Sequence, residues 1–290
     1  LMKKIYYAIL ILSFMLMAMK SDMEAYRIYD QNGKNSSYGK LLKQALDSDI
    51  ILFGEIHTNP INHWLQFELT SDLYKEFGDK LILGAEMFER DQQVIVNEFV
   101  DSLISESNFK SQARLWPNYK TDYKPLVDFA RNNKLPFIAT NIPRRYASMV
   151  FSDGFEALDK LPDATLNYIA PLPIPYDPEL PGYKSMLELG EEMNSHSSEN
   201  LPMAQAVKDA TMAHSILEYL ETGKVFLHYH GSYHSENFEG IMWYLNLYRP
   251  GLKIMTIASA EQDATDKLEE DNEGLADFII VTPKTMTKTH

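Results

Sequence analysis

Three short apolar runs, each ending in acidic or imidazole side chains, limit what this chain can fold into more than any other feature. They are Ile50-Ile51-Leu52-Phe53-Gly54-Glu55-Ile56-His57, Leu81-Ile82-Leu83-Gly84-Ala85-Glu86-Met87, and Val225-Phe226-Leu227-His228-Tyr229-His230-Gly231-Ser232-Tyr233-His234. Unbroken rather than alternating hydrophobicity marks a strand covered on both faces, as in a parallel sheet with helices above and below. Open α/β sheets bind ligands in the crevice outside the carboxyl ends of their strands. The pattern therefore predicts that Glu55, His57, Glu86, His230 and His234 meet at one edge of a sheet.

The segments between these runs have helical character. Asn59-Pro60 is a helix start, a capping side chain followed by proline at the first helical position. Trp64, Leu65, Leu69 and Leu73 then recur at helical spacing until Gly78. Helices are expected from Gln92 to Val100, Leu126 to Asn132 and Gln205 to Glu221, and further strands at Pro136–Thr140, Lys253–Ile257 and Phe278–Val281. Gln31 to Asn35 reads as a turn between short strands. The fold class is α/β, a parallel-rich central sheet flanked by helices. Prolines 162, 171, 173, 175, 178 and 181 mark residues 144–203 as an inserted helical subdomain or lid. The core domain then comprises 23–143 and 204–290.

Residues 1–22 are expected to be a signal segment: Lys3 and Lys4 precede an apolar stretch, Ile5 to Ala18, too short to span a bilayer comfortably. Export to the periplasm or outer membrane follows. A net charge of -14 argues against nucleic acid and against a broad contact with anionic lipid. The chain has no cysteine, which excludes disulfides, thiolate metal sites and cysteine nucleophiles.

Each polar cluster supports more than one role. Glu55 and His57, two apart on a strand end, point the same way and suit metal binding, proton sharing or ligand holding; a turn network around Asn59-Pro60 would use them equally. His63, in the first helical turn, reaches either the same crevice or the surface. Glu86 needs a partner if buried, either in the crevice or in an ion pair with Arg90 or Arg144. His228 and His230 alternate along one strand, and Gly231 implies a tight turn before His234. Trp116, Tyr119, Tyr123 and Tyr146 are aromatics in polar surroundings. No dinucleotide fingerprint, P-loop or nucleophile elbow is present.

Gly54-Glu55-Ile56-His57-Thr58-Asn59-Pro60, Ala85-Glu86-Met87-Phe88-Glu89-Arg90-Asp91-Gln92-Gln93, Trp116-Pro117-Asn118-Tyr119, Tyr123-Lys124-Pro125, Ala139-Thr140-Asn141-Ile142-Pro143-Arg144, the stretch Ala204 to Ala213 and His230-Gly231-Ser232-Tyr233-His234 together resemble the ChaN-like family of haem-uptake proteins in the Tiki superfamily. The resemblance implies an α/β fold and an exported, lipid-anchored protein that binds haem through tyrosine, with two haems paired across a homodimer. It also implies an outer-membrane haem receptor as partner. Met19 stands where the lipidated cysteine of such proteins is expected, and the last motif is richer in histidine than the family pattern.

Two functions follow as expectations. The first is haem binding in a crevice between the sheet's carboxyl edge and the 144–203 insertion, with Tyr119, Tyr123 or Tyr146 as axial ligand, Arg144 or Arg145 on the propionates, and apolar walls of Leu, Met, Pro and Tyr. The second is a metal-dependent hydrolase, peptidase or esterase-like, in which Glu55, His57, Glu86 and His230 or His234 hold zinc, manganese or iron.

Overall fold

The computed structural model describes residues 24–192 and 199–290. The expected signal segment lies outside them. A seven-stranded sheet crosses the molecule in the order β1-β7-β6-β2-β5-β3-β4. Its strands are β1 (Arg27–Asp30), β2 (Ile50–Glu55), β3 (Leu81–Glu89), β4 (Phe137–Asn141), β5 (Val225–Gly231), β6 (Ile254–Gln262) and β7 (Phe278–Pro283). Only β1 is antiparallel, pairing with β7 at the sheet edge. The turn after β1 returns as a single bridge, Tyr29 to Asn35, rather than as a second strand.

Strand β2 shows why the apolar runs are unbroken. Ile51 and Phe53 enter one hydrophobic core; Ile50 and Leu52 enter another on the opposite face. The first core is closed by α1 (Tyr38–Ala45), α2 (Pro60–Phe77), α3 (Gln93–Val100), α4 (Glu106–Gln112) and α5 (Lys124–Asn133). The Asn59 carboxamide caps α2, accepting from the N–H groups of Ile61 and Asn62, and Gly78 ends it at a φ of 58°.

The second core lies under α6 (Arg144–Asp153), α9 (Leu201–Tyr219) and α10 (Ile241–Tyr248). Between α6 and α9 lie α7 (Asp163–Leu166) and α8 (Pro181–Glu192). Tyr146, Val150, Leu158, Ile169 and Ile174 share this core with Phe226 of the sheet, so much of the proline-rich segment packs as a layer of the sheet itself. Strands β3 and β6 are longer than their apolar runs. Polar residues continue them because β-pairing persists: β6 pairs with β7 as far as Gln262, and the β3–β4 register shifts between Ala85 and Glu89. Glu86 therefore sits within a strand. Among the described residues no helix is long and apolar enough to cross a membrane.

Candidate functional site

The carboxyl ends of β2, β3 and β5 converge, and Glu55, His57, Glu86 and His234 fall in one chain of polar groups, hydrogen-bonded on either side of a packing contact between the His57 ring and Gly231. At its first end is Glu55, 2% exposed. Its Oε1 accepts from the Tyr123 hydroxyl at 2.7 Å and contacts His57 Nδ1 at 2.9 Å. Its Oε2 accepts from Gln66 Nε2 at 2.5 Å and lies 3.4 Å from His63 Nδ1. His63 also approaches Asp122, and it meets the His57 carbonyl at 3.0 Å; the Asn118 amide donates to that carbonyl at 2.8 Å. A backbone carbonyl held twice fixes the loop that carries His57.

The side chain of His57 is 40% exposed. Burial lowers its affinity for a proton, but the hydrogen bond to Glu55 and the charge of Glu86 outweigh that and raise it above the ordinary imidazole value. Its ring lies against Gly231, where an added Cβ would stand 2.9 Å from Cε1 and Nε2. A side chain at this position would displace the ring.

Beyond Gly231 the chain continues into fully buried groups. Glu86 Oε2 accepts from the Gly231 N–H at 2.8 Å, and Oε1 lies 3.2 Å from His234 Nε2. His234 Nδ1 donates to Asp209 Oδ1 at 2.5 Å. Burial disfavours charge on His234, yet the two carboxylates prevail and push its pKa up to about 10. Burial likewise opposes charge on Glu86, but His234, His57 and the Gly231 N–H hold it well below the carboxylate range. Asp209, with fewer compensating contacts, is pushed up by burial. Arg90, an alternative partner for Glu86 by sequence, is instead paired with Glu218 at 2.9 Å.

His228 and His230 lie apart from this chain. Strand alternation puts both on the face toward the second core, where their Nδ1 atoms are 3.1 Å apart. The outer nitrogens meet Thr140 Oγ1 at 2.7 Å and Ser235 Oγ at 2.8 Å. Burial drives the pKa of His228 down to about 3, and His230 is also well below its ordinary value. His230 is thus a neutral structural hydrogen-bonding group, and His234 is the histidine of this loop that reaches Glu86. Among the described residues no group of three His, Asp or Glu side chains is arranged to hold a metal ion. The zinc, manganese or iron centre expected of Glu55, His57, Glu86 and His230 or His234 is not formed by these residues, because His230 faces the second core and Glu86 is taken up by His234 and the Gly231 N–H.

A cavity of about 270 Å³ opens beside Asp209. Its walls come from the first turn of α8 (Gly182, Tyr183, Ser185), from Gln205 and Asp209 of α9, and from the 233–240 loop, including Tyr233 and Glu236. Phenols and carboxylates line it rather than the expected leucines and methionines. Tyr119, Tyr123 and Tyr146, the three tyrosines expected as axial ligand, do not line it. Tyr123 is committed to Glu55, and Tyr119 packs against Phe88 and Phe109. Tyr146 lies under the Arg145 guanidinium, which also pairs with Asp91 at 2.6 Å. Arg144 is exposed on the first turn of α6.

Sequence reasoning missed Gln205, Asp209 and Tyr183. The usable signal was in α9: Gln205 and Asp209 stand four apart on a helix whose neighbouring positions are largely Ala, Val and Met, so both are carried to a buried face.

These features define a parallel-sheet α/β protein with a carboxylate–imidazole chain at the strand ends and a phenol-lined cavity beside it. The chain belongs to the family described as haem-binding uptake, Tiki superfamily, ChaN, which matches residues 41–245. A solved structure similar in fold is the ChaN of Campylobacter jejuni, described as binding haem cofacially, with a TM-score of 0.68, 17% identity, and 89% of this chain and 96% of that one covered. A protein of Bacillus cereus has a TM-score of 0.50 at 12% identity, with 89% and 94% covered. In Arabidopsis thaliana, the chloroplastic protein RETICULATA-RELATED 5 is 28% identical over 153 residues, which are 49% of this chain and 21% of that relative.

Proposed function

We propose that this protein binds haem as cargo in haem or iron uptake, and that the haem lies across the mouth of the cavity between the 233–240 loop and α8, with Tyr233 as iron ligand. A volume of 270 Å³ is below the ~300–1,000 Å³ of pockets that enclose a drug-sized ligand, so a porphyrin fits across the opening and not inside it. The observation that carries the reading is Tyr233 itself: a phenol on this mouth, 44% exposed, in a protein of a haem-binding family. Phenolate is an established axial ligand for ferric haem. Among the described residues no Lys or Arg lines the cavity, so the propionates would point away from it, and the exposed Arg144 suits them better than Arg145, already paired with Asp91.

Export, a cofacial homodimer and an outer-membrane haem receptor complete this reading. They rest on the Lys3–Ala18 segment and on the family. Hemin titration with visible spectroscopy tests the core of it. A saturable ferric high-spin spectrum is expected, lost in Y233F and kept in Y119F, Y123F and Y146F. No spectral change at micromolar protein refutes haem binding; a spectrum that survives Y233F refutes the ligand.

A second reading, hydrolysis, is favoured by one arrangement: His57 is half-exposed, with Nδ1 fixed on Glu55 and its ring against Gly231, which binds Glu86. An imidazole oriented by a carboxylate suits general-base activation of water. Ester or peptide hydrolysis that survives chelators and disappears in H57A is the expected result; no turnover of any panel substrate by the wild type removes this reading.

A further inference from the structure

Charge inside the cavity beside Asp209 is unbalanced. Asp209 is 1% exposed, and its Oδ1 is taken by His234. Its Oδ2 meets only the Tyr183 hydroxyl, at 3.4 Å, beyond the roughly 2.5–3.0 Å of an O–H···O hydrogen bond. Among the described residues no other group donates to it. Tyr183 and Gly240 both line the cavity, and a Cβ built on Gly240 would stand 3.3 Å from Oδ2. The bare glycine leaves this buried oxygen open to the hollow.

Glu236 and Glu239 stand on the same walls. Glu239 Oε2 accepts from the Gly182 N–H at 2.8 Å. Glu236 has neither an ion pair nor a hydrogen bond to its carboxylate among the described residues. His234, the imidazolium at this end, already serves both Glu86 and Asp209. Three carboxylates thus face the cavity, and one shared cation answers them. A buried carboxylate without a partner is costly, and a ligand that brings positive charge removes that cost. Gln205, 9% exposed, adds a neutral polar group: one end of its carboxamide lies 2.8 Å from His234 Nδ1, and the other has no partner among the described residues.

Shape and wall chemistry select among cations. Among the described residues no group of three His, Asp or Glu side chains is arranged to hold a metal ion, so the carboxylates are spaced for a ligand of several atoms. The volume of about 270 Å³ is below the ~300 Å³ of the smallest drug-sized pockets, so that ligand is small. Tyr183 and Tyr233 offer aromatic faces, which attract cations and pack against an alkyl stem. An ammonium group brings three N–H donors to the open oxygens.

We propose that the cavity between the 233–240 loop and the first turn of α8 binds a small organic cation, a primary alkylammonium, whose charged end is held by Asp209 Oδ2 and Glu236 and whose stem lies against Tyr183 and Tyr233. Occupancy of the interior goes beyond the haem reading and is independent of it.

The test follows amide resonances of the isotope-labelled full chain, without hemin. n-Butylammonium chloride should shift the Gly182 and Gly240 amides and the Gln205 side-chain amide saturably at about millimolar concentration, the strength expected of so small a ligand. n-Butanol, its neutral isostere, and sodium chloride at equal ionic strength should not. E236Q and D209N should each bind butylammonium at least about tenfold more weakly, the scale of one hydrogen bond to a charged group. E236Q breaks no buried ion pair, so it reports even where D209N fails to fold. The absence of a saturable shift with butylammonium, or an equal shift with butanol or sodium chloride, overturns the site. Unchanged affinity in E236Q overturns the role of its carboxylate. Calcium chloride displacing butylammonium from the same resonances marks a metal site and overturns the organic ligand. Failure here leaves the hemin titration unaffected, and a hemin spectrum indifferent to Y233F leaves this site standing.

Discussion

Replacing His234 with alanine removes the one cation between two buried carboxylates. Glu86 is 7% exposed and Asp209 1%, and the imidazolium touches both, at 3.2 and 2.5 Å. Removing one partner from a buried ion pair costs about 3–5 kcal/mol, because the charge left behind loses compensation. For a domain of this size each kcal/mol moves the melting temperature by about 2–4 °C, so H234A should melt roughly 6–20 °C lower. The pH dependence identifies the cause. The folded pKa of His234, about 10, exceeds its ordinary 6.5, so its contribution is complete below 6.5 and is lost as pH rises toward 10. Glu86 is depressed, so its contribution is complete above its ordinary 4.5 and is lost as pH falls. The gap between wild type and H234A should therefore be widest from pH 4.5 to 6.5 and narrow on both sides. In the acid limb the variant also recovers by protonating a carboxylate. Thermal melts by circular dichroism at half-unit steps from pH 4 to 10 measure this. A gap under about 2 °C at pH 6, or one that does not vary with pH, would show that His234 carries no charge in the folded protein.

Three further outcomes follow from particular contacts. G231A drives a methyl to 2.9 Å from the His57 ring, and G54A drives one to 2.8 Å from the Ile257 carbonyl and the Ser232 Cα. The imidazole can swing away and the backbone cannot, so urea unfolding should show G54A losing about 3 kcal/mol or more and G231A less, with His57 resonances shifted in G231A. Y123F deletes a donor to buried Glu55 and should cost about 1–3 kcal/mol, with hemin binding unchanged. His228, neutral when folded down to about pH 3 but protonated near 6.5 when unfolded, destabilises the fold progressively as pH drops through that window; urea midpoints between pH 7 and 4 should decline less steeply in H228L than in the wild type.

The amino-acid sequence by itself determined the layered α/β architecture and most of the strand and helix positions. Apolar runs too continuous for one-sided burial require a covered sheet, and Asn59-Pro60 with Gly78 defines the extent of α2. It also brought Glu55, His57 and Glu86 to the strand ends, since chain direction and β–α alternation put the carboxyl ends of parallel strands together. Tertiary structure alone decided which side chains touch. His228 and His234 are both histidines of one short stretch, but strand pleating buries the first as a neutral group and the turn after Gly231 swings the second between Glu86 and Asp209. Asp209 comes from a helix with no acidic motif and meets His234 only because α9 packs across the sheet. Tyr183 and Tyr233 share a cavity for the same reason. Hydrophobic periodicity specifies which face of an element is buried; it carries no information about which polar groups from other elements will be waiting there, because that depends on helix packing and loop paths set by the whole core.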